Sequence, residues 1–434
     1  MSRAFVQQRR RPLKQAGLAA AKHIRTGDWG SLRVLLKKMA LKLLSGMSLP
    51  AGLFFALIIR GIRPWFLVRI GALVSERLGH LAANTELYLC ERNASINTPK
   101  IPYVDLWYHN WPICNQQLAR MWKRVLHVGP SWLLASVDKM NRIIPGGGEY
   151  RIGQNTQSYR DVHNLLDRFP AHLSFLPEEE TKGEAGLRAL GIPVGAPFVC
   201  LNVRDSSYLD KWLPWRDWTY HDYRNCNIQN YVLAAKELTN RGYYVIRMGM
   251  VVKEAINVVH PMIIDYAASG LRSDFMDIYL GANCKFCISN STGFDAVPMI
   301  FRRPIVFVDH VPLGLISTWS SRHLITTKKH WLQNEARFMT IREIFDFYAD
   351  AISDKCEDMW SEMKIDLLES SPDEIAAVVL EMDERLQGTW QMAEEDEELQ
   401  RRFWKVFQKR YEWHGEIRSK IGADFLRSNK ALLA

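Results

Sequence analysis

The sequence predicts an α/β protein with two Rossmann-like lobes facing a cleft, a basic helical N-terminal arm and a helical C-terminal tail. A chain of 434 residues is longer than one ordinary hydrophobic core accommodates, so two lobes of roughly 150–200 residues are expected. Apolar strand-like runs alternate with helix-like segments of about 10–18 residues, the pattern of βαβ units around a parallel sheet. The expected parts are the arm at 1–62, an N-terminal lobe at 63–195, a C-terminal lobe at 196–370 and helices at 371–434.

The arm carries the basic character of the chain. Residues 1–63 hold thirteen Lys or Arg and one acid, a charge of +12, so the remaining residues must sum to −3 to give the total of +9. Residues 31–44, SLRVLLKKMALKLL, place Leu32, Leu35, Leu36, Met39 and Leu43 on one helical face and predict a basic amphipathic helix. Residues 43–59 are uncharged but interrupted by Ser, Gly and Pro, and crossing a bilayer takes about 20 apolar residues. We therefore expect residues 1–62 to lie on an anionic membrane surface without binding nucleic acid; docking on the protein's own core is the alternative.

The cysteines indicate a reducing compartment. Seven is an odd number, most sit in apolar stretches, and a chain of this size folds without disulfide staples. The CxxC pair at Cys284 and Cys287 has no second Cys or His pair at zinc spacing. Free thiols in a cytoplasmic protein, with no metal site, are therefore expected.

The C-terminal lobe is predicted in most detail. Strands are expected at 197–205, 243–249, 262–267, 285–290 and 304–310. Helices are expected at 223–242, 272–283 with Ser273 as N-cap, and 293–303. Since ligands bind beyond the carboxyl ends of strands in such sheets, the residues after each strand are the candidate site.

A loop of small polar residues follows the strand at 285–290. Asn290, Ser291, Thr292 and Gly293 lead directly into the expected helix, where free backbone N–H groups and the helix dipole favour an anion. Small residues let phosphate oxygens approach the backbone, and the two hydroxyls add donors. An ordinary Ser/Thr helix cap is the alternative interpretation of the same residues.

Four arginines occupy corresponding positions in the same sheet. Arg204 and Arg247 end strands, whereas Arg224 and Arg272 stand at expected helix starts. Guanidinium groups match the oxygens of a diphosphate, so their convergence on one edge favours a nucleoside diphosphate ligand. The chain contains no GxxxxGK[ST], no GxGxxG and no Asp-x-Asp. These absences argue against P-loop and dinucleotide-binding proteins and against a metal-held donor, and no cofactor is expected.

Five stretches of the sequence resemble a known family. The stretches VRIGALVSERLGHLAANTELYL, FVCLNVRDSSYL, YRNCNIQNYVLAAKELTNRGYYVIRMG, IIDYA and SDFMDIYLGANCKFCISNSTGFDAVP are similar to bacterial surface-polysaccharide glycosyltransferases of GT-B architecture, over about residues 63–315. NVRD also resembles the HVRRxD block of fucosyltransferases, whose Arg holds the donor β-phosphate. This resemblance implies that Arg204 holds the donor β-phosphate. Asn202 stands where those enzymes have His, and only one Arg is present, so GDP-fucose is not implied.

The resemblance implies glycosyl transfer from a nucleotide-sugar donor to a glycan or lipid-linked acceptor, without a bound metal, at the cytoplasmic side of the inner membrane. The acceptor would enter from the N-terminal lobe, where His80 or Glu86 has the chemistry of a general base. For His80 a structural hydrogen bond, and for Glu86 a solvated or ion-paired helix position, are the alternatives. Asp205 is a third candidate base, or a group that orients Arg204. The expected donor-binding residues are Arg204, Tyr208, Arg224, Arg247, Ser273, Asp274, Ser291, Thr292 and Gly293, with Ser273 and Asp274 on the nucleoside.

Two other functions fit the same features. A sugar-nucleotide-binding protein without activity would keep the phosphate site but turn nothing over. A two-lobed sugar-nucleotide epimerase would need acid and base carboxylates in the cleft and would have no use for a membrane arm.

Overall fold

The computed structural model describes residues 48–153, 160–212, 218–347, 360, 362–409 and 411–433. The predicted amphipathic helix at 31–44 lies outside these residues. Within them the predicted α/β class is confirmed, because two lobes are each built on a parallel sheet and flanked by helices.

The N-terminal lobe contains a three-stranded parallel sheet in the order β1-β2-β3. Its strands are β1 (Leu67–Leu73), β2 (Tyr103–His109) and β3 (His127–Val128). Its helices are α1 (Leu49–Gly61), α2 (Leu78–Asn93), α3 (Gln116–Val125), α4 (Ser131–Ile143) and α5 (Pro177–Ala189). In β1, burial on both faces matches its nearly continuous apolar run, as in other parallel sheets. None of the helices described here has the length and apolar character to cross a bilayer.

The C-terminal lobe contains a seven-stranded parallel sheet. Its strands are β4 (Phe198–Asn202), β5 (Tyr244–Arg247), β6 (Ile263–Asp265), β7 (Cys287–Ser289), β8 (Ile305–Phe307), β9 (His323–Ile325) and β13 (Lys420–Ile421). Its helices include α6 (Ser207–Trp212), α7 (Val232–Asn240), α8 (Asp274–Asn283) and α9 (Ala296–Ile300). The five strands predicted for this lobe are confirmed.

The order of strands in this sheet locates a ligand crevice. The sheet runs β13-β9-β8-β7-β4-β5-β6, so the chain builds outward from β4 through β5 and β6, then returns to add β7 and β8 on the other side. The reversal falls between β4 and β7, whose last residues Asn202 and Ser289 are paired. Such a switch point leaves an open crevice beyond the carboxyl ends of the two strands.

The rest of the chain forms an appendage and a tail. A small antiparallel sheet is built from β10 (Lys329–Leu332), β11 (Arg337–Phe338) and β12 (Ile365–Leu368). Further helices are α10 (Ile341–Phe347), α11 (Pro372–Gln387), α12 (Glu394–Val406), α13 (Tyr411–His414) and α14 (Ala423–Ser428). The tail is mainly helical, as predicted, and it also supplies β13 to the edge of the large sheet.

Two predicted helices differ in the structure. The helix expected at 223–242 begins only at Val232, because the preceding residues form two 3₁₀ turns, Thr219–Arg224 and Ile228–Tyr231. The helix expected at 293–303 is α9, which begins at Ala296 and has 5 residues. The loop at 290–293 therefore does not enter a helix directly, and a helix this short contributes little dipole.

The two lobes share an apolar core beneath the cleft. Side chains of α2 and α3 pack with side chains of α8 and α9 in one buried cluster that includes Leu81, Leu118, Ile278 and Val297. Where the lobes meet, glycine faces glycine: a Cβ placed on Gly79 would lie 3.2 Å from the Cα of Gly293. The start of α2 and the loop after β7 are therefore held in contact at the floor of the cleft.

Candidate functional site

A cavity of about 420 Å³ lies between the lobes, at the carboxyl ends of both sheets. The N-terminal lobe contributes residues 76–80, which follow β1. The C-terminal lobe contributes the residues that follow β4, β5, β7 and β8. The cavity therefore coincides with the switch point of the large sheet.

The loop after β7 is held in an unusual conformation. Ser291 is a non-glycine residue with φ of +67°, a left-handed conformation that costs of order 1 kcal/mol for such a residue. Its Oγ is buried without a hydrogen-bond partner among the described residues, and the residue lines the cavity. A strained backbone with an unsatisfied hydroxyl indicates a place for a polar ligand.

Asp295 holds this loop in shape. Its carboxylate accepts hydrogen bonds from the Thr292 backbone N–H at 2.7 Å, from Thr292 Oγ1 at 2.9 Å and from Ser289 Oγ. Burial raises the pKa of Asp295 to about 6 despite these bonds. Thr292 Oγ1 also accepts from the side-chain amide of Asn202, at the end of β4. Thr292 therefore stabilises the loop, and it lines the cavity together with Ser291 and Gly293.

Several arginines concentrate positive charge around the cavity. Arg204, Arg224 and Arg77 all line the cavity, and the Nε atoms of Arg204 and Arg224 are buried without a partner among the described residues. Burial and the neighbouring charge of Arg224 lower the pKa of Arg204 to about 10. Arg77 lies over the ring of Trp218, 5.6 Å from its centroid. Like charges held together in a half-buried cleft create a strong preference for an anion.

Asn290 ties the two arginine loops together. Its Oδ1 accepts a hydrogen bond from the backbone N–H of Arg204 at 2.8 Å, and its Nδ2 donates to the backbone carbonyl of Arg224 at 2.8 Å. The side chain is buried, with 1% exposure. Asn290 therefore positions the backbone of both arginines.

Arg272 and Tyr208 also line the cavity. Arg272 is paired, because its Nη2 lies 2.5 Å from Asp277 and 3.3 Å from Asp274. Burial raises the pKa of Asp277 to about 6 and also raises the pKa of Tyr208. The charge of Arg272 is thus offset by its carboxylate partners, in contrast to the charges of Arg204 and Arg224.

His80 lies on the first turn of α2 and lines the cavity, next to the glycine contact between the lobes. Burial first, and then the charge of Arg77, lower the pKa of His80 to about 4, against a hydrogen bond to Asn84 that raises it. The imidazole is therefore neutral near pH 7 and able to accept a proton.

The prediction that Glu86 faces the cleft is wrong. Glu86 is fully buried on α2, and its Oε1 accepts from Arg302 at 2.6 Å and from His172 Nδ1 at 3.0 Å. It does not line the cavity. Glu86 lies about one and a half helical turns after His80 on α2, so its side chain points in a different direction, toward Arg302 of the other lobe.

Three predicted donor-binding residues also lie away from the cavity. Arg247 is 1% exposed. Its side chain, at the end of β5, donates to Asp265 in the neighbouring strand β6 and to the carbonyl of Glu254. Ser273 caps α8 by accepting from the Met276 N–H at 3.1 Å. Asp274 accepts from the Gln116 N–H at 2.8 Å and so bridges the lobes.

Asp205 does line the cavity, but its carboxylate is engaged by the backbone. One oxygen accepts from the Ser207 N–H at 2.9 Å, and the other accepts from the Lys253 N–H at 2.8 Å. Asp205 therefore fixes the loops after β4 and β5, and no hydrogen bond or ion pair joins it to Arg204 in the described part of the chain.

Three residues of the site were not predicted from the sequence. Arg77 follows β1 just as Arg204 follows β4, so the rule used for the C-terminal lobe would have found it in the N-terminal lobe. Asp295 follows Thr292 at the Thr-x-x-Asp spacing of a capping box. His310 follows β8, lines the cavity and is buried, and its Nδ1 has no partner among the described residues.

Among the described residues, two groups of side chains have metal-ligating chemistry, and both lie outside the cavity lining. One is Glu86, Cys90 and His172, where Arg302 Nη2 occupies the position between the carboxylate and the thiol. The other is Cys226, Asp309 and Glu369, beside which Lys328 lies 3.9 Å from Glu369. The six described cysteines are free thiols.

No protein-family model and no curated protein matches the chain. Among solved structures, the chain is similar to the glycosyl transferase family 9 protein from Veillonella parvula DSM 2008, with 10% identity and a TM-score of 0.40 over 69% of this chain and 97% of that chain. It is similar to the E. coli ADP-heptose lps heptosyltransferase II, with 14% identity and a TM-score of 0.33 over 68% and 98%. It is also similar to a putative UDP-N-acetylglucosamine 2-epimerase from Listeria monocytogenes, with 7% identity and a TM-score of 0.27 over 75% and 98%. At these low values we base the function on the residues of the cleft.

Proposed function

We propose that the protein is a glycosyltransferase that moves a sugar from a nucleoside diphosphate donor to a surface-glycan or lipid-linked acceptor. The observation that carries this proposal is the pair Arg204 and Arg224, which both line the cavity at the switch point of the sheet and whose buried Nε atoms have no hydrogen-bond partner among the described residues. A charge pair of this kind is costly without an anion, and a diphosphate supplies the matching oxygens.

The donor diphosphate would sit between the arginines and the loop after β7. Arg204, Arg224 and Ser291 all line this space, and a small movement of the left-handed Ser291 would turn its unsatisfied hydroxyl toward the phosphate oxygens. As the glycosidic bond to the sugar breaks, negative charge grows on the leaving diphosphate. Fixed cations stabilise that charge more in the transition state than in the bound donor, which is the requirement for catalysis.

The acceptor would enter from the side of α2. His80 is neutral near pH 7 and stands in the first turn of α2, in contact range of the C-terminal lobe through Gly79 and Gly293. Acting as general base, its imidazole would take the proton from the acceptor hydroxyl while that oxygen bonds to the sugar carbon. A bound diphosphate offsets the charge of Arg77, so donor binding raises the pKa of His80 toward the working pH.

Charge neutralisation by arginine takes the place that a divalent cation holds in other transferases. The carboxylates of Glu76, Asp205, Asp277 and Asp295 also line the cavity. Arg272 engages Asp277, the loop after β7 engages Asp295, and the backbone N–H groups of Ser207 and Lys253 engage Asp205. We therefore propose transfer without a bound metal.

The site of action would be the cytoplasmic face of the inner membrane. The basic residues of the arm would attract anionic lipid headgroups at about 1 kcal/mol for each Lys or Arg near the surface. The free thiols of the described cysteines agree with a reducing compartment.

A ligand panel tests the proposal directly. The purified full-length chain is heated with GDP, UDP, ADP and CMP and their sugar conjugates, and the true donor and its diphosphate raise the Tm by mass action. Incubation with the stabilising sugar nucleotide and an extract of bacterial glycolipid should then release nucleoside diphosphate. Stabilisation without release would identify a binding protein, conversion of the sugar without an acceptor would identify an epimerase, and no stabilisation by any nucleotide would refute the proposal.

A further inference from the structure

Helix α1 buries only one side against the protein. Gly52, Ala56 and Ile59 face α4 and are buried, and the two helices meet so closely that a Cβ on Gly52 would come within 2.8 Å of Ser136. α1 is thus a firmly docked part of the N-terminal lobe, and its orientation is fixed.

The opposite side of α1 is apolar and exposed. We call its exposed side chains, with a tryptophan that follows the helix, the apolar flank; they are Leu53, Phe54, Phe55, Leu57, Ile58 and Trp65. Phe54 is 61% exposed and Trp65 is 74% exposed. Five large apolar side chains within six consecutive residues form a contiguous surface, which soluble proteins rarely leave in water.

The flank starts at the edge of the lobe where the cleft opens. α1 and α4 run parallel, since Ser48 Oγ donates to the carbonyl of Trp132 near their starts and Arg60 donates to the carbonyl of Pro145 near their ends. The start of α4 lies at the carboxyl end of β2, where Ser131 Oγ donates to the carbonyl of His109. The exposed face of α1 therefore extends from the cleft side of the sheet to the opposite side.

The charge of the preceding chain selects the partner. Residues 1–47 lead directly into the flank and carry eleven Lys or Arg against Asp28 alone. An apolar face beside a strongly basic segment is complementary to a bilayer with anionic headgroups. α1 has 13 residues, about 20 Å of helix, which is too short to cross a hydrocarbon core of about 30 Å.

We infer that the apolar flank inserts into the interfacial region of an anionic bilayer, with α1 in the membrane plane. Phe54, Leu57 and Trp65 enter the boundary between headgroups and acyl chains, and the cleft opens beside the membrane, where a lipid-linked acceptor is presented. This inference rests on the membrane attachment proposed above and adds to it the inserting surface, and it favours the lipid-linked class of acceptor. Trp132, 51% exposed, extends the aromatic edge at the cleft end, as expected for a residue at headgroup level.

The experiment separates insertion from charge attraction. Full-length protein is sedimented with vesicles of phosphatidylcholine and phosphatidylglycerol at low salt and at about 0.5 M salt, where the Debye length falls to a few ångströms. The variant Phe54→Gln/Leu57→Gln removes two exposed apolar side chains. Its matched control, Val194→Gln/Val259→Gln, changes two exposed apolar side chains elsewhere, of 47% and 104% exposure.

At high salt the flank variant should bind vesicles about tenfold more weakly than either the unchanged chain or the control, since each lost side chain no longer transfers from water. Brominated lipid should quench the unchanged chain more than the variant Trp65→Phe. Equal high-salt binding of all chains would overturn the inference. Shielding of Trp65 from acrylamide in the absence of vesicles would also overturn it, because residues 1–47 would then cover the flank. A dimer in solution that the flank variant dissociates would overturn it as well. None of these measurements uses a sugar donor or an acceptor. Their result can therefore be interpreted even if the transferase proposal fails.

Discussion

The side-chain oxygen of Asn290 accepts a hydrogen bond from the backbone N–H of Arg204 at 2.8 Å. One residue on the strand β7 side of the switch point thereby fixes the loop that follows β4. The same amide donates to the carbonyl of Arg224, so the backbone of both cavity-lining arginines depends on one buried side chain. The anion site is thus positioned by an interaction that contributes no charge.

Replacing Asn290 by Ala should weaken binding of the nucleoside diphosphate by about tenfold or more, because two loops lose their shared hydrogen bonds, each worth about 1 kcal/mol. Binding of the bare nucleoside should change far less. Calorimetry with both ligands on the same protein measures the contrast. Asn283→Ala, which removes a side-chain bond to the Tyr279 carbonyl at the end of α8, is the control and should leave both affinities intact. An equal loss for nucleoside and diphosphate would mean general damage to the lobe.

Arg204→Lys should lose a two-pronged contact while the charge is kept, and should cost about 1–3 kcal/mol of diphosphate binding. Gly293→Val should have a similar effect on binding, since the new side chain crowds both the phosphate and the facing Gly79. Titration of each variant with diphosphate and nucleoside gives the two affinities. Arg188→Lys, at a paired surface position on α5, is the control for Arg to Lys exchange. Unchanged diphosphate affinity in Arg204→Lys would remove the main support for the transferase.

The sheet could be predicted from the sequence because its signal is local. Each strand of the C-terminal lobe is a short apolar run, and the polar residue after it lies at the carboxyl edge whatever the surroundings. The direction of a side chain at that edge is a tertiary property. Arg204 and Arg247 both end strands, yet only Arg204 turns into the cleft, whereas Arg247 finds Asp265 in the next strand. Nothing in the two local sequences separates these outcomes.

The start of α9 was misplaced for a related reason. Thr292 and Asp295 form a local hydrogen-bonded turn that competes with helix, so the chain delays the helix to Ala296. Glu86 was assigned to the cleft because its partner Arg302 lies 216 residues away in sequence. A contact of that range leaves no trace in the periodicity of α2.

The ion pair of Glu86 and Arg302 joins the lobes beneath the cleft. Arg302→Met should destabilise the protein by about 3–5 kcal/mol, because it leaves a buried carboxylate without its partner. The double variant Arg302→Met/Glu86→Leu should recover part of that loss. Urea unfolding of the single and double variants checks both statements. Equal stability of the single and double variants would show that the pair does not carry the effect.

His310 should make the stability of the protein depend on pH. Its buried position lowers its pKa from 6.5 to about 3, so the unfolded chain binds a proton at His310 between those values while the folded protein does not. Stability is therefore full above about pH 6.5 and falls as the pH decreases, by up to a few kcal/mol from this residue. The buried carboxylates Asp295 and Asp309, with pKa values raised to about 6, act in the opposite direction. For that reason the comparison is with His310→Gln, whose unfolding free energy should decline less between pH 6.5 and pH 4 than that of the unchanged chain. Parallel declines would place the titration elsewhere.

His80 is the remaining candidate base, and its substitution separates chemistry from structure. His80→Asn keeps a hydrogen-bonding edge but removes the proton acceptor, so kcat should fall by about a hundredfold or more while KM for the donor changes little. Glu86→Gln, on the same helix but outside the cleft, should lower stability, because Arg302 loses its ion pair with Glu86, and should leave kcat within a few fold.

With a pKa of about 4, His80 is unprotonated at neutral pH, so kcat/KM should be flat near pH 7 and fall only as the pH approaches that value. Loss of this acidic limb in His80→Asn, measured with the donor found by the nucleotide panel, would assign the proton transfer to His80. A variant that keeps both its rate and its acidic limb would leave His80 with a structural hydrogen bond to Asn84, and the base would have to be sought among the groups that the acceptor itself brings.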